Sequence, residues 1–201
     1  MFLSKYGMDT RTRFSDLAIA RQTTNYSLFF IIPVTAYFAY TFYQHLLSST
    51  YMSFLDTFDF FVHELGHPVF ALFWNQFIAI LWGTLLQLLI PLVCMIWFWI
   101  QRDRFAVVFC YAWLGTNFFY ISTYSSDAQK MALPLMWLWS GDPIHDWNFI
   151  FTKLWVLEYT DSIAFGFKVV AILFFIFYFI HIFFLIINKR NQPSSINQLF
   201  Y

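Results

Sequence analysis

The sequence contains few charged residues, since Asp, Glu, Lys and Arg together make up 11% of its 201 residues. A soluble globular chain carries about a quarter, so most of this surface cannot face water. The few charges also balance, with 11 basic and 11 acidic side chains. A net charge near zero gives no reason to expect nucleic acid as a partner.

Cysteine is almost absent as well, because only Cys94 and Cys110 occur and both lie in apolar runs. They provide neither a disulfide framework nor a thiolate metal site. The N-terminal region also lacks the pattern of a cleavable signal peptide. Residues 1–25 are polar, and the apolar run that follows is too long for a signal h-region. We therefore predict that this run stays in the protein as a membrane segment.

Apolar residues are abundant, with 60% of the chain hydrophobic and 25% aromatic. This composition suits a wide lipid-facing surface with aromatic belts at the membrane interfaces. Five apolar segments can be read from the sequence, and we predict an all-α membrane protein of one domain with four to six transmembrane or re-entrant helices. The segments are 28–47, 54–74, 77–100, 105–121 and 163–187.

The chain divides into three predicted regions. Residues 1–25 form an interfacial segment on the cytoplasmic or matrix side, residues 26–187 form the membrane domain, and residues 188–201 form a polar tail. Within the membrane domain, a polar connection at 122–163 includes a short apolar piece that is re-entrant or interfacial. The protein is expected to be integral to the inner membrane of a bacterium or an organelle.

The basic residues constrain the orientation of the segments. Four basic residues precede the first apolar run, which places the N terminus inside. If every segment crossed the bilayer, Arg102 and Arg104 would then lie outside, as would Lys189 and Arg190. If 54–74 is instead re-entrant, or is paired with the next segment without full crossing, all three basic clusters lie inside, and this is the arrangement that we predict.

The sequence His63-Glu64-Leu65-Gly66-His67 is the strongest chemical signal. Histidines four residues apart lie on one face of a helix and can bind one zinc ion, and Glu64 can then act as general base towards a metal-bound water. Such groups in an apolar segment cost several kcal/mol, in order of magnitude, unless they are paired or ligated. Gly66 leaves space for a substrate strand or for another helix backbone. The alternative is a pair of histidines that only satisfy backbone or loop groups.

This motif in a small multispan protein resembles the site-2 protease group of intramembrane zinc metalloproteases. The resemblance implies zinc and peptide-bond hydrolysis, with a third ligand from an aspartate in an Asn-Pro…Leu-Asp-Gly setting. This chain lacks that setting and has Leu133-Pro134-Leu135 and Ser140-Gly141-Asp142-Pro143 instead.

A second resemblance, over roughly residues 60–150, is to uncharacterised bacterial membrane proteins with the same motif. It rests on four later groups of residues and implies no activity. They are Trp113-Leu114-Gly115-Thr116-Asn117, Asp127-Ala128, Leu133-Pro134-Leu135 and His145-Asp146-Trp147.

A third metal ligand must come from the polar connection, where aspartate and histidine both suit zinc. Asp127 and His145 are the leading candidates. Asp146 comes next, either as a ligand or as a partner that orients an imidazole. The alternative is an ordinary wet loop with turn residues.

The expected function is therefore zinc-dependent hydrolysis of a peptide bond at the membrane, with Glu64 as the catalytic base. The expected partners are the lipid bilayer, a membrane-protein or peptide substrate, and other subunits if the chain belongs to a larger complex. Two alternatives stay open, namely a redox protein that uses the same histidines and a non-catalytic subunit of a membrane complex. Visible absorption separates a redox protein from a colourless zinc enzyme, and exchange of Glu64 for Gln separates an enzyme from a non-catalytic subunit.

Overall fold

The computed structural model describes residues 26–48, 50–71, 75–133 and 144–190. These residues form a single helical domain with no strands among them, which confirms the predicted all-α class. The expectations for 1–25, for most of the short apolar piece in the 122–163 connection and for residues 191–201 lie outside the described residues. The helices are α1 (Leu28–Leu47), α2 (Phe54–Ala71), α3 (Gln76–Ile100), α4 (Arg104–Ser126), α5 (Asp146–Lys153) and α6 (Thr160–Arg190), with a 3-10 turn (Leu157–Tyr159) before α6.

Three helices in the described part of the chain, α3, α4 and α6, are long and apolar enough to cross a membrane. Helix α3 alone has 25 residues, or roughly 37 Å at 1.5 Å per residue, which exceeds the roughly 30 Å of hydrocarbon in a bilayer. The predicted integral membrane character is thereby supported. The first predicted span, 28–47, is a helix but is not one of these three.

Helix boundaries differ from the prediction where polar side chains find partners inside the bundle. Helix α4 continues to Ser126 rather than ending at Ile121. The Ser122 hydroxyl donates to the Ala164 carbonyl (2.7 Å), and the Ser125 hydroxyl donates to the Ser122 carbonyl (3.2 Å). Because backbone carbonyls of the bundle accept these hydroxyl protons, a polar stretch remains helical inside the protein.

An aromatic core joins α1, α4 and α6. Phe38, Phe175 and Tyr178 are fully buried, and the Phe38 ring lies 5.2 Å from Tyr178. Gly115 allows α4 to approach α6 closely, because a Cβ at this position would lie 2.6 Å from Cδ2 of Phe175. This core forms the frame against which the remaining helices pack.

Helices α1 and α2 run in the same direction along α4. Phe38 of α1 contacts Phe109 of α4, and the later Phe42 contacts the later Phe119. The two helices are therefore parallel. Asp59 of α2 accepts a hydrogen bond from Trp113 of α4, and the later His63 ring faces the later Tyr124. Helix α2 is therefore parallel to α4 as well. Two parallel helices in succession require the chain between them to turn back.

The connection between α1 and α2 makes that turn. The Tyr51 ring lies 5.0 Å from His45 and 6.2 Å from Tyr40, so the chain returns along α1 before α2 begins. Helix α3 then runs antiparallel to α2. The re-entrant path of 54–74 across a bilayer stays a prediction.

One end of the bundle carries the basic residues of the α3–α4 connection. The Tyr26 hydroxyl, at the start of α1, donates to Oδ2 of Asp103 (2.8 Å). Arg102 and Arg104 line one cavity together with Asn188 near the end of α6. We call this the basic end, and it brings together the start of α1, the α3–α4 connection and the end of α6.

Candidate metal centre

Helices α2 and α3 touch through their backbones at Gly66. A Cβ on Gly66 would lie 2.6 Å from the Trp82 carbonyl oxygen and 2.9 Å from Cα of Gly83. The space that Gly66 leaves is therefore taken by the backbone of α3. The contact brings the motif face of α2 onto α3 about two turns, or roughly 10 Å, from the start of α3, far from the basic end.

Helix α5 brings the third element to this contact. Its apolar residues Trp147, Ile150 and Phe151 are buried against Ile80 and Ile121 of α3 and α4. These contacts anchor the short helix and orient its first residue towards α2.

That first residue is Asp146, and its carboxylate meets both motif histidines. Oδ2 of Asp146 lies 2.7 Å from Nε2 of His63 and 3.3 Å from Nε2 of His67. One ligand atom from each of the three residues lies within 4.8 Å of the others, as required for a shared metal ion. His63 and Asp146 are buried, and the His67 side chain is 15% exposed.

The hydrogen bonds of the two Nδ1 atoms determine whether the Nε2 atoms that face Asp146 carry a proton. Nδ1–H of His67 donates to the Ala79 carbonyl (3.0 Å), and Nδ1–H of His63 donates to Oε1 of Gln87 (2.8 Å). Carbonyl oxygens only accept, so the proton of each neutral ring stays on Nδ1. Each Nε2 then presents a lone pair, which is the form that binds a metal.

Two lone pairs and a carboxylate oxygen repel one another unless a positive charge lies among them. A proton can take that place, because His67 or His63 can bind a second proton and donate to Asp146. A divalent cation can do so as well, and imidazole with carboxylate is a donor set that zinc accepts. The residues thus fit a metal ion by their chemistry.

Gly83 borders the same space. A Cβ at this position would lie 2.7 Å from Nε2 of His67 and 2.8 Å from Nε2 of His63. A side chain at this position would crowd both nitrogens from the α3 side unless the two rings moved. The glycine therefore keeps open the volume that a ligand on both histidines would occupy.

Glu64 lies beside this group and is buried, with 7% of its surface exposed. Its Oε2 atom has no hydrogen-bond partner among the described residues. Electrostatically, the carboxylate interacts with His63, His67 and Asp146. An unpaired buried carboxylate costs free energy, and this cost is offset if Glu64 binds a water molecule or a proton at the site.

Asp127 and His145 pair with each other instead of joining the histidines of the motif. Nε2 of His145 lies 3.4 Å from Oδ2 of Asp127. The Asp127 carboxylate accepts the backbone N–H groups of Ala132 (3.0 Å) and Leu133 (2.9 Å). His145 caps α5, because its Nδ1 accepts the N–H of Asn148 (3.3 Å). Both residues therefore hold the connection that carries Asp146.

The two neighbours in sequence, His145 and Asp146, experience different electrostatic environments. Burial lowers the pKa of His145, although the carboxylate of Asp127 acts in the opposite direction. Burial alone would raise the pKa of Asp146, but hydrogen bonds and charge from His63 and His67 outweigh it, so this pKa is lowered. Asp146 thus stays ionised and His145 neutral near pH 7.

A polar network anchors α2 one turn before the motif. Asp59 is fully buried and accepts hydrogen bonds from Nε1–H of Trp113 (3.0 Å) and Nδ2–H of Asn117 (2.7 Å). This explains the Trp113…Asn117 part of the sequence pattern as a support for the helix that carries His63. Asn117 thus forms a hydrogen bond between α4 and α2.

Tyr124 is a site residue that the sequence did not reveal. Its hydroxyl accepts the N–H of Asp146 (3.2 Å), and its ring lies 4.6 Å from His145 and 6.1 Å from His63. An aromatic residue in an apolar helix gives no sign of such a contact. Gly83 and Gln87 did carry a signal, since they lie one turn apart in an otherwise apolar run.

Models of protein families, curated proteins and solved structures were compared with the chain, and none of them matches. Function must therefore be inferred from the site itself.

Exchange of Gln87 for Leu is expected to weaken metal binding by about 10- to 100-fold, the usual effect of removing an outer hydrogen-bond partner of a ligand. His63 would lose the acceptor that keeps its proton on Nδ1. Competition with a chromophoric zinc chelator measures the affinity. Gln44→Leu, on the exposed face of α1, is the matched control and should bind like the wild type. Equal affinity of both variants would contradict the role given to Gln87.

Proposed function

We propose that this chain is a membrane-embedded zinc-dependent hydrolase that cleaves peptide bonds. His63, His67 and Asp146 act as the metal ligands and Glu64 as the general base. One observation carries the proposal: two Nε2 lone pairs and one carboxylate oxygen converge beside a buried glutamate that has an unpartnered oxygen.

Three protein ligands with a fourth position left for water are typical of catalytic zinc. Tetrahedral ligands at about 2.0–2.2 Å from zinc lie roughly 3.3 Å from each other. The His67–Asp146 distance of 3.3 Å meets this value. The His63–Asp146 distance of 2.7 Å has to lengthen by about 0.6 Å to reach the same separation. When bound, zinc lowers the pKa of a coordinated water to about 7.

The side chains of the protein then have separate tasks. Glu64 takes the proton of the attacking water and passes it to the leaving nitrogen, as the adjacent carboxylate does in His-Glu-x-x-His enzymes. Its burial favours proton uptake, because a low-polarity environment disfavours the charged form. Gln87 and the Ala79 carbonyl keep both histidines in the ligating tautomer.

The apolar outer face of α2 favours a substrate that lies within the membrane. Phe61, Leu65 and Val69 are each about half exposed, which suits a surface in contact with lipid. His67 is the least buried of the three proposed ligands. A peptide segment within the bilayer could therefore approach the site from the lipid side of α2 without passing through the aromatic core.

Exchange of Glu64 for Gln is expected to lower turnover by about 100- to 10,000-fold, the usual effect of removing a general base, while zinc content stays at the wild-type value. The assay uses the full chain in lipid vesicles with a fluorogenic library of membrane-spanning peptides, and zinc is measured by elemental analysis. Glu158→Gln, at an exposed position, is the control and should leave both readings unchanged.

A redox protein is the second candidate, because two histidines and one carboxylate also suit non-haem iron. Elemental analysis of the protein as isolated separates the two proposals. Stoichiometric iron, with a visible spectrum that responds to reductant, would overturn the hydrolase proposal. Unchanged turnover in Glu64→Gln would also overturn it.

A further inference from the structure

The basic end of the bundle contains a cavity that the hydrolase proposal does not use. It has a volume of about 920 Å³ and lies between the ends of α3, α4 and α6. Its walls are mainly apolar, and its rim carries the two arginines of the α3–α4 connection. The apolar wall residues include Ile96, Trp99, Ile100, Val107, Phe184 and Leu185.

The two rim arginines outnumber Asp103, the acidic side chain that lines the same cavity. Arg102 and Arg104 are exposed, and neither forms an ion pair among the described residues. Asp103 lies between them, but its carboxylate accepts the N–H of Ala106 (3.0 Å) and the hydroxyl of Tyr26 (2.8 Å). Burial and the neighbouring Asp103 raise the pKa of Tyr26 to about 12, so the phenol keeps its proton and donates. The rim is therefore left with excess positive charge.

Further basic residues adjoin the same end in the sequence. Lys189 and Arg190 end α6, the helix whose last turns line the cavity. Basic residues gathered on one side of a membrane protein mark the side that meets anionic lipids. The charge of this end thus complements an anionic membrane surface.

We propose that this cavity binds one anionic glycerophospholipid, with its phosphate between Arg102 and Arg104 and an acyl chain along the apolar wall. Basic pockets between transmembrane helices are suited to such headgroups. The apolar wall would contact the acyl chain of the lipid, because Trp99, Ile100 and Phe184 line the cavity. A free inorganic anion would use the rim alone and leave this wall unused.

Native mass spectrometry of the full chain, with phosphatidylglycerol and phosphatidylcholine added in separate titrations, tests the proposal. We expect one phosphatidylglycerol to bind in preference to phosphatidylcholine. The double variant Arg102→Gln/Arg104→Gln should bind it roughly 30-fold more weakly, from roughly fivefold for each arginine. The double variant Lys130→Gln/Lys153→Gln removes the same charge from exposed positions outside the cavity and should bind like the wild type.

A second variant tests the wall of the cavity. Val107→Trp fills space behind the rim while both arginines remain, and it should also reduce phosphatidylglycerol binding. Inorganic phosphate should not displace the lipid at equal concentration. Equal binding of both lipids, equal loss in the lysine control, full binding by Val107→Trp or displacement by phosphate would each overturn the proposal. Zinc content is independent of all these readings.

Discussion

Exchange of Asp146 for Ala is expected to lower zinc affinity by more than about 100-fold, because even the removal of an outer partner of a ligand costs 10- to 100-fold. The variant removes the carboxylate oxygen that lies 2.7 Å from Nε2 of His63 and 3.3 Å from Nε2 of His67. Zinc affinity of the full chain in detergent, measured by chelator competition, provides the test. A wild-type affinity in Asp146→Ala would rule out the ligand set proposed here.

Exchange of Asp127 or His145 for Ala provides the matched comparison, because both residues lie in the same connection. Asp127→Ala removes the acceptor of two backbone N–H groups and should cost about 1–3 kcal/mol of stability. Its zinc affinity should fall far less than that of Asp146→Ala. If His145→Ala lost zinc and Asp146→Ala kept it, the third ligand would be the histidine.

The histidine pair could be predicted from sequence because it depends only on local geometry. Residues four apart lie on one face of any α-helix, and α2 runs through the motif from Phe54 to Ala71. The need for a partner was equally clear, because ionisable groups in an apolar segment are costly unless they are paired. Neither inference requires knowledge of the tertiary fold.

From the sequence, the residue that meets the two histidines could be assigned only to the polar connection between 122 and 163. His145 and Asp146 are neighbours, and which of them faces α2 depends on where α5 begins. His145 has an extended backbone and serves as the N-cap, while Asp146 is the first helical residue, so their side chains leave the chain in different directions. Helix starts are uncertain by a residue or two even in known structures, and one residue decides the ligand here.

The fold class followed from composition, since a chain this apolar can satisfy its backbone in a bilayer only as helices or a closed barrel. The re-entrant path of 54–74 stays a prediction from the charge pattern. Hydropathy alone gives no reason for this segment to turn back, but the basic residues Arg102 and Arg104 do. Tertiary contacts such as Asp59 with Trp113 and Asn117 were beyond reach, because they join residues far apart in the chain.

Exchange of Gly83 for Ala is expected to abolish zinc binding although every proposed ligand remains in place. The added Cβ would lie 2.7 Å from Nε2 of His67 and 2.8 Å from Nε2 of His63, in the volume that a shared ion needs. Rotation of the rings would relieve the contact only by breaking their hydrogen bonds to Ala79 and Gln87. Zinc content after purification measures the effect.

Substitutions at two other glycines show whether zinc is lost because the site is blocked or because helix packing is damaged. Gly166→Ala adds a Cβ with no heavy atom within 4 Å and should leave zinc content and stability unchanged. Gly66→Ala places a Cβ against the Trp82 carbonyl and the Gly83 backbone, so it should destabilise the fold by about 1–3 kcal/mol through overpacking. The Gly83 variant adds its methyl group beside imidazole nitrogens rather than against backbone. Its thermal unfolding temperature without metal should therefore lie closer to that of Gly166→Ala than to that of Gly66→Ala. Zinc retained at the wild-type level in Gly83→Ala would show that the ion does not lie between the two histidines.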